Sequence, residues 1–457
     1  MALQPLISVI GSTGTGKSDL AIALATRLNG EIINADAMQM YTGLDIITNK
    51  HPVDERQGIP HHILGVVPIT EEIRIGQFRD RALDIIADIH SRGKLPIVVG
   101  GTHYYLQSLL FNKTASDGND SDDGNGGTAT ANIAEERYTM DELVAKYPVL
   151  NASAPELLAK LEEVDPVMAA RWHPNDTRKV RRSLEIFFQT GRRASELYAE
   201  QEVTARFNNL IFWTHSDKVV LDKRLDDRVD KMVTRGMFDE IEQLYGLYKE
   251  QLEKKEVDLT KGIWQSIGFK EFLPWLLAPE EEKTEKLKEE CLVRMKLNTV
   301  QYAKYQTRWI RTKLYHMLTA TSTPMYLLDT TDQSQFQVTA VTPALRIARS
   351  FLEGGEMEDP RGLNEAAANM LSAKTEKDFG ENMEGWKKYT CETCEITTIG
   401  DEKWREHLGS RRHKKKVAGK IKWEEIVKLR AAREARLKAE SESKEVVAED
   451  SDGDLMN

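Results

Sequence analysis

The chain has 457 residues, of which 40% are hydrophobic and 30% charged, with a formal net charge of −10. This length predicts two or three domains, and the sequence has no apolar run long enough to span a bilayer, so we expect no membrane association. Three cysteines are too few for a disulfide framework, and an acidic chain that binds nucleic acid must do so through a local basic surface.

The first predicted strand, residues 6–10, leads into a glycine-rich loop and then into a helix over about residues 20–28. This order and spacing are typical of a P-loop, whose backbone N–H groups surround a phosphate. Lys17 is expected to reach the phosphates and Ser18 to ligate Mg²⁺. The loop by itself does not identify the phosphate compound. Its residues are Gly11, Ser12, Thr13, Gly14, Thr15, Gly16, Lys17 and Ser18.

Two further predicted strands end in polar residues. The strand over residues 31–36 ends at Asp36, and the strand over residues 94–99 runs into two glycines and Thr102. In doubly wound α/β folds the carboxyl ends of the strands line the ligand crevice, so both residues are expected near the P-loop. The strand over residues 210–214 resumes the sheet after a helical insertion. The predicted fold is therefore an α/β, P-loop NTPase-like parallel sheet core with a helical inserted domain and a C-terminal zinc finger.

Composition and periodicity divide the chain into consecutive segments. The catalytic core is interrupted by a loop rich in Gly, Asp, Asn and Ser that is predicted to be disordered, and by the helical insertion. The predicted segments are the core at 1–136 with the disordered loop at 112–134, the insertion at 137–207, the continued core at 208–352, a linker at 353–384, a zinc finger at 385–420, and a charged helix with an acidic tail at 421–457.

The C-terminal region carries a C-x2-C-x12-H-x5-H spacing, which predicts a tetrahedral metal site. Four protein ligands leave no open position, so a bound Zn²⁺ would be structural. Basic residues around the second histidine favour phosphate contact. The predicted ligands are Cys391, Cys394, His407 and His413.

Two basic stretches allow two interpretations each. The stretch at 178–182 lies on a predicted helix, where a run of charge is normally a solvated face, although phosphate contact is a competing explanation. The stretch at 299–309 alternates aromatic and basic residues. Its spacing favours an amphipathic helix with aromatics in the core, and the alternative is a nucleic-acid groove.

Six motifs occur in order along residues 5–330: G-S-T-G-T-G-K-S, N-A-D-A-M-Q-M-Y, G-G-T-H-Y-Y, H-P-N-D, W-Q-S-I-G-F-K-E and Q-Y-A-K-Y-Q. Together they resemble the tRNA dimethylallyltransferase family, and the C-terminal finger resembles its eukaryotic branch. The resemblance implies transfer of a dimethylallyl group from dimethylallyl diphosphate to N6 of adenine 37, beside the anticodon of tRNA.

The resemblance also implies roles for individual residues. The P-loop would hold the diphosphate of a prenyl donor, with Thr13, Lys17 and Mg²⁺ neutralising the leaving group. Arg228 matches the assisting arginine of the family, with Arg224 as the alternative. Asp36 would accept the N6 proton, and Thr102 would line the catalytic channel.

The tRNA anticodon stem-loop is the implied macromolecular partner, and the adenine is expected to be flipped into the site. We expect a monomer, with the cytoplasm as the default compartment, and members of the family are also found in mitochondria and in the nucleus. The matching tRNA-contact positions are Asp36, Ala37, Met38, Gln39, Thr102, Lys179, Arg182, Gln265, Gly268, Phe269, Lys270, Gln301, Lys304 and Gln306.

Two other functions use the same sequence features. A small-molecule P-loop kinase would use the loop for ATP, but it gives no reason for the finger. An RNA-binding adaptor with a relic P-loop would explain the finger, but it gives no reason for retaining Lys17, Ser18, Asp36 and Thr102 together.

Overall fold

A computed structural model describes residues 3–112, 138–199, 203–253, 258–259, 261–371, 388–399, 401–420, 428–429 and 432. The predicted disordered loop lies outside the described residues except for Asn112, and the predicted tail lies outside them except for residues 428–429 and 432. None of the described helices is long and apolar enough to cross a membrane. The contacts divide the chain into two units, Met1–Arg137 with Glu196–Gly380 and Tyr138–Ser195 with Glu381–Asn457.

The first unit is built on a six-stranded sheet in which all neighbouring strands are parallel, which confirms the predicted core. The strand order is β3-β2-β4-β1-β7-β8, and two short strands, β5 and β6, form a separate antiparallel pair. The central strands are continuous apolar runs, as expected for parallel strands covered on both faces. The strands are β1 (Pro5–Gly11), β2 (Gly30–Asn34), β3 (His61–His62), β4 (Leu95–Gly100), β5 (Phe111–Asn112), β6 (Thr204–Ala205), β7 (Asn208–His215) and β8 (Met325–Asp329).

Helices cover both faces of this sheet and also form the described part of the insertion. A π-helical turn at Ile310–Leu314 joins the longest helix to the next one. The helices are α1 (Lys17–Arg27), α2 (Ile75–Ser91), α3 (His103–Leu110), α4 (Met140–Lys146), α5 (Ala154–Val164), α6 (Pro166–Arg171), α7 (Thr177–Thr190), α8 (Ala194–Ala199), α9 (Lys218–Thr234), α10 (Met237–Glu253), α11 (Leu273–Leu276), α12 (Glu285–Trp309), α13 (Tyr315–Ala320), α14 (Thr342–Glu353) and α15 (Glu365–Met370).

The sheet separates two hydrophobic cores. On one face, α1 and α14 pack Leu20, Leu24 and Ala344 against strand residues such as Val9. On the other face, α2, α3, α10 and α12 form a larger core that includes Phe78. Because both faces are covered by apolar side chains, the polar groups that follow the strands are concentrated at the sheet's carboxyl edge.

The second unit contains the helices of the insertion and the predicted finger. Helices α5 and α7 pack through buried leucines, including Leu161 and Leu184. Helix α7 begins at a cap in which Asp176 accepts from the backbone of Lys179, and it ends at Gly191, whose φ is 75°. The finger has a hairpin of two antiparallel strands followed by a helix: β9 (Lys388–Cys391), β10 (Ile396–Ile399) and α16 (Asp401–Gly409).

The predicted linker at 353–384 is wrong in its first part. Helix α15 lies inside that segment, and its Ala367 and the following Leu371 are buried in the larger core of the first unit. Asn364 donates to the carbonyl oxygen of Leu327 on β8, at 2.8 Å. The composition is polar, but Leu363, Ala367 and Leu371 recur every four residues, and one apolar stripe is enough to dock a short helix. Residues 372–387 lie outside the described part of the chain.

Glu31 on β2 is a buried carboxylate that joins several elements of the first unit. It accepts from Arg92, from Lys94 at 2.7 Å and from His62 at 2.8 Å. These hydrogen bonds, above all those from Arg92, hold the pKa of Glu31 far below its usual range. The carboxylate therefore stabilises the junction of β2, β3, β4 and the end of α2.

We expect Glu31→Gln to lower the free energy of unfolding by about 2 kcal/mol at pH 7, because it leaves three donors facing a neutral amide. The folded-state pKa of Glu31 lies below its ordinary value of 4.5, so its contribution is complete above that value and is lost as the pH falls. Urea denaturation at pH 7 and in acid would measure this, and the two proteins should converge in acid. Asp88→Asn is the control, because this exposed carboxylate pairs only with Arg92, and an equal loss there would contradict the prediction.

Candidate active site

The P-loop is fixed by contacts to the neighbouring strand β7. A side chain at Gly11, whose φ is 149°, would place its Cβ 2.5 Å from the carbonyl oxygen of Thr214, so this position requires glycine. The Thr15 hydroxyl donates to the carbonyl of Ser12 at 2.8 Å and lies 2.7 Å from the Thr214 hydroxyl. The Lys17 ammonium donates to the same Ser12 carbonyl, also at 2.8 Å. The loop is therefore held in its curled form by its own residues and by β7.

A small cavity of about 150 Å³ lies beside the loop. It is lined by five of the eight predicted loop residues and by Asp36. The other three, Gly11, Ser12 and Thr15, do not line the cavity and instead shape the loop. The lining loop residues are Thr13, Gly14, Gly16, Lys17 and Ser18.

A larger cleft of about 470 Å³ adjoins the loop. Thr102 and Arg228 line this cleft, and Thr13 and Asp36 line both it and the small cavity. Thr13 and Asp36 therefore lie where the two spaces meet. The structure thus brings Asp36, Thr13, Lys17, Arg228 and Thr102 around one continuous space at the carboxyl edge of the sheet.

Asp36 is held in one orientation by the backbone around it. Its backbone N–H donates to the side chain of Asn34, and its carboxylate accepts from the backbone N–H of Met38, both at 3.1 Å. Thr102 fixes the next residue, because its hydroxyl accepts from the backbone N–H of Ala37 at 3.0 Å. Burial raises the pKa of Asp36, and the charge of Lys17 opposes that rise. A carboxylate of this kind is a better proton acceptor than one in water.

The cations of the site are half-buried. Burial lowers the pKa of Lys17 to about 8, although the charge of Asp36 works in the opposite direction. Burial lowers the pKa of Arg228 to about 10 as well. Arg228 donates to the hydroxyl of Thr13 at 2.7 Å, and its Nε has no hydrogen-bond partner among the described residues. Two half-buried cations face one half-buried carboxylate, so the site favours an additional anion.

Arg224 and Arg228 were alternatives for the arginine of the site, and the structure separates them. Arg224 donates to the carbonyl of Gly14 at 3.1 Å and to the carbonyls of Thr330 and Thr331. It supports the outer side of the loop and does not line the cleft. Arg228 is the one that lines the cleft.

Gln306 on α12 connects the P-loop to the end of β4, a role that sequence motifs did not reveal. Its side-chain oxygen accepts from the backbone N–H of Thr13 at 2.8 Å, and its side-chain nitrogen donates to the carbonyl of Gly101 at 3.0 Å. The side chain is only 1% exposed. The predicted tRNA contact of Gln306 does not fit this position, because both ends of the amide are already bonded within the protein.

Two further predicted tRNA-contact residues are also buried. Phe269 packs in the core against Trp264, with ring centroids 5.7 Å apart. Gly268 has a φ of 109°, and an added Cβ would lie 2.8 Å from Ile47, so it serves close packing. The residues of the W-Q-S-I-G-F-K-E motif therefore do not all face the same way. Gln265 and Lys270 line the cleft, whereas Gly268 and Phe269 do not.

Other predicted tRNA-contact residues of the first unit occupy different surfaces. Ala37, Met38 and Gln301 line the cleft. Gln39 lines the small cavity, and its amide donates to the carbonyls of residues 48 and 49. Lys304 is exposed and lines a different groove with Arg308.

The remaining predicted contacts, Lys179 and Arg182, lie on α7 in the second unit. Lys179 pairs with Asp176 at 3.1 Å, and Arg182 pairs with Glu185 at 3.2 Å. Both side chains are partly exposed, so their outer faces remain accessible to a phosphate.

Glu240 on α10 positions a cleft-lining loop, and no sequence motif indicated it. Its carboxylate accepts from the backbone N–H groups of Ile46 and Ile47, at distances of 2.8–3.0 Å. The next residues, Thr48 and Asn49, line the cleft. A charged acceptor for two successive N–H groups fixes this wall of the cleft.

The second unit contains the predicted metal site. One ligand atom from each of the four residues lies within 4.8 Å of the others. His413 Nδ1 lies 3.5 Å from both cysteine sulfurs, and His407 Nε2 is buried with no hydrogen-bond partner in the described part of the chain. Zn–S bonds of about 2.3 Å and Zn–N bonds of about 2.0 Å around a tetrahedral ion place S and N about 3.5 Å apart. The ligand set of Cys391, Cys394, His407 and His413 therefore fits zinc.

Comparisons with known proteins agree with this arrangement. Residues 39–313 match the family described as IPP transferase. The tRNA dimethylallyltransferase of Saccharomyces cerevisiae is 41% identical, over 90% of this chain and 91% of the relative. That of Schizosaccharomyces pombe is 40% identical, over 95% of this chain and 98% of the relative.

Among solved structures, that of a eukaryotic dimethylallyltransferase acting on tRNA is similar over 93% of this chain and 100% of its own. The TM-score is 0.79 and the sequence identity is 39%. The similarity thus extends over the sheet, the site and most of the remaining chain.

We expect Gln306→Met to weaken binding of inorganic diphosphate about tenfold. Methionine fills a similar volume, but it removes the acceptor for the Thr13 N–H and the donor to Gly101, so the loop loses its anchor. Isothermal titration calorimetry would measure the affinity. Gln243→Met, at an exposed position of α10, is the matched control and should bind as the unchanged protein does. Equal affinity of both variants would contradict the anchoring role of Gln306.

Proposed function

The chain belongs to the IPP transferase family, and from this premise we propose the details of its reaction and of its substrate contacts. Its relatives are tRNA dimethylallyltransferases, and its activity is transfer of a dimethylallyl group to tRNA. We propose dimethylallyl diphosphate as the donor and N6 of adenine 37, beside the anticodon, as the acceptor. The observation that carries this proposal is the position of Asp36 at the junction of an anion-binding cavity and a larger cleft.

The proposed chemistry is a displacement at carbon. The N6 lone pair forms a bond to C1 of the dimethylallyl group, the C1–O bond breaks, and its electron pair leaves with the diphosphate. The N6 proton passes to the Asp36 carboxylate. Lys17, Arg228 and the N–H groups of the loop stabilise the negative charge that develops on the leaving oxygen. No phosphoryl group is transferred, so ATP is not required.

The Ser18 hydroxyl lines the anion-binding cavity and is the group that would hold Mg²⁺ against the diphosphate. When bound, Mg²⁺ would add positive charge where the leaving group becomes negative. The loop already supplies a half-buried cation at that place, so the metal would add to the effect of Lys17.

The larger cleft is the proposed site of the adenine. A base inside a stack cannot reach Asp36, so the nucleotide has to be flipped out. The cleft wall includes His103 stacked on Trp309, with centroids 5.7 Å apart. Burial lowers the pKa of His103 to about 3, so the ring is neutral at physiological pH and does not repel Lys17. Gln265, Lys270 and Gln301 are the proposed tRNA contacts at the cleft.

In the second unit, Lys179 and Arg182 are proposed to contact tRNA phosphates. The finger is proposed to hold structural Zn²⁺ and to bind tRNA through the basic residues near His413. The proposed state is a monomer in the cytoplasm, with mitochondrial or nuclear pools.

The deciding experiment is incubation of the protein with labelled dimethylallyl diphosphate and tRNA, followed by nucleoside analysis. Label in N6-dimethylallyladenosine without added ATP supports the proposal. Absence of label in tRNA would overturn it. Phosphoryl transfer from ATP to a small molecule would then indicate a kinase, and tRNA binding without either reaction would indicate an adaptor.

We expect Asp36→Asn to slow transfer at least about a hundredfold, because the amide cannot accept the N6 proton yet still accepts from the Met38 N–H. Single-turnover assays at saturating substrates would measure the rate, and fluorescence anisotropy would show tRNA affinity within about threefold of the unchanged protein. Asp84→Asn, at an exposed position on α2, is the control. Normal transfer by the Asp36 variant would remove that residue from the mechanism.

The lowered pKa of Lys17 predicts a pH dependence of diphosphate binding. Below pH 8 the ammonium is charged in the free protein, and above pH 8 it becomes neutral, so affinity should fall up to about tenfold per pH unit. Lys17→Arg keeps its charge and should not show this extra fall. Calorimetry with inorganic diphosphate from pH 7 to about 9.5 would measure the affinity of both proteins. Because the ionisation of the diphosphate affects both curves equally, it cancels in the comparison. Parallel curves would contradict the prediction.

A further inference from the structure

The segment His173–Asp176 in the second unit has a structural position that the proposed reaction does not explain. It connects α6 to the basic helix α7, and it forms the H-P-N-D motif of the sequence. Its contacts lead in two directions, to the finger and to α7.

His173 connects this segment to the finger. Its Nδ1 accepts from the backbone N–H of Asn175 at 3.1 Å, so the ring proton is on Nε2. Nε2 therefore donates to the backbone carbonyl of Thr397, 3.0 Å away on β10 of the finger hairpin. The hydrogen bond from Asn175 thus fixes the tautomer of His173 that can donate to Thr397.

A second contact joins the two parts from the finger side. Lys388, the first residue of β9, donates to the carbonyl of Ala169 near the C-terminal end of α6, at 2.5 Å. A cation at this end of a helix interacts favourably with the helix dipole. Burial lowers the pKa of Lys388, and the nearby charge of Glu162 on α5 opposes that effect. Both hairpin strands are therefore attached to the insertion helices.

The same segment also fixes the start of α7. Asp176 accepts from the backbone N–H of Lys179 at 3.2 Å and pairs with its ammonium at 3.1 Å. Trp172, just before the segment, donates from its indole nitrogen to the Ser183 hydroxyl at 3.0 Å. One short segment therefore holds the finger on one side and the basic helix on the other.

We propose that His173–Asp176 is a docking joint that fixes the finger on the insertion helices, so that the finger and α7 bind tRNA as one rigid surface. His173 and Lys388 are positioning residues, because their hydrogen bonds join the finger to the insertion helices. The part of this proposal that concerns tRNA rests on the proposed function, whereas the docking itself does not.

The first test measures docking without substrate. Full-length protein carrying His173→Phe keeps an aromatic ring but loses both hydrogen bonds. Hydrogen exchange of the finger hairpin at residues 396–399 should become at least about tenfold faster, while the zinc content stays equal to that of the unchanged protein. Lys388→Met should have the same effect from the finger side. Lys160→Met, which removes a lysine paired at the surface of the same unit, is the control.

The second test measures the consequence for tRNA. His173→Phe should weaken tRNA binding about five- to tenfold with an unchanged transfer rate at saturating tRNA. In a Cys391→Ser background, whose finger cannot form, the same substitution should have no further effect. Unchanged hydrogen exchange of the hairpin in both His173→Phe and Lys388→Met would overturn the docking joint. Fully additive effects of His173→Phe and Cys391→Ser on tRNA affinity would overturn its role in tRNA binding. If the unchanged protein transferred no dimethylallyl group, the exchange result would still stand, so the two failures are distinguishable.

Discussion

The partial burial of Lys17, Arg228 and Asp36 at one edge of a parallel sheet is the constraint on which the site depends. Charges taken out of water destabilise a fold unless partners compensate them, and here two cations share one carboxylate. In the protein alone, Lys17 donates to a carbonyl of its own loop and Arg228 to the hydroxyl of Thr13. A diphosphate would replace these weaker neutral partners with a strong anionic one, so binding energy is available where the leaving group must be stabilised.

The loops around the charged groups of the site are held in place by a neutral side chain and by a carboxylate that does not line the cleft. Gln306 fixes the P-loop to Gly101 through an amide, and the carboxylate of Glu240 holds the loop before Thr48 from outside the cleft. An anchoring amide has no net charge, so it does not compete with the diphosphate for Lys17 or Arg228. The site can therefore keep its geometry without neutralising the charges that perform the chemistry.

The sequence was sufficient to predict the parts of the fold and site that depend on local pattern. The P-loop follows from glycine spacing between a strand and a helix, and the places of Asp36 and Thr102 follow from the rule that strand ends line the crevice. The four ligands of the finger follow from their spacing, and the structure brings them together. Each of these features is determined within a few residues or by the topology of a parallel sheet.

The features that sequence could not supply depend on contacts between distant segments. Gln306 meets Thr13 across 293 positions, and Glu240 meets Ile46 across 194. Motif matching assigned Gln306, Gly268 and Phe269 to tRNA contact because whole segments match tRNA-contacting segments of the family. A motif does not show which way each side chain points. The supposed linker failed for a similar reason, because Ala367 and Leu371 contribute to a core whose other members lie far away in the chain.

The proposed docking joint follows a different physical rule from the active site. Its two interfacial acceptors, on Thr397 and Ala169, are backbone carbonyls, so only the donors His173 and Lys388 depend on residue identity. Such an interface tolerates changes in the opposing side chains, whereas it fails when either donor is lost. In an acidic chain, binding an RNA requires the few basic surfaces to act together, and tRNA affinity increases when two of them are held in fixed relation because less conformational entropy is lost on binding. Docking the finger next to α7 would provide that gain without adding positive charge.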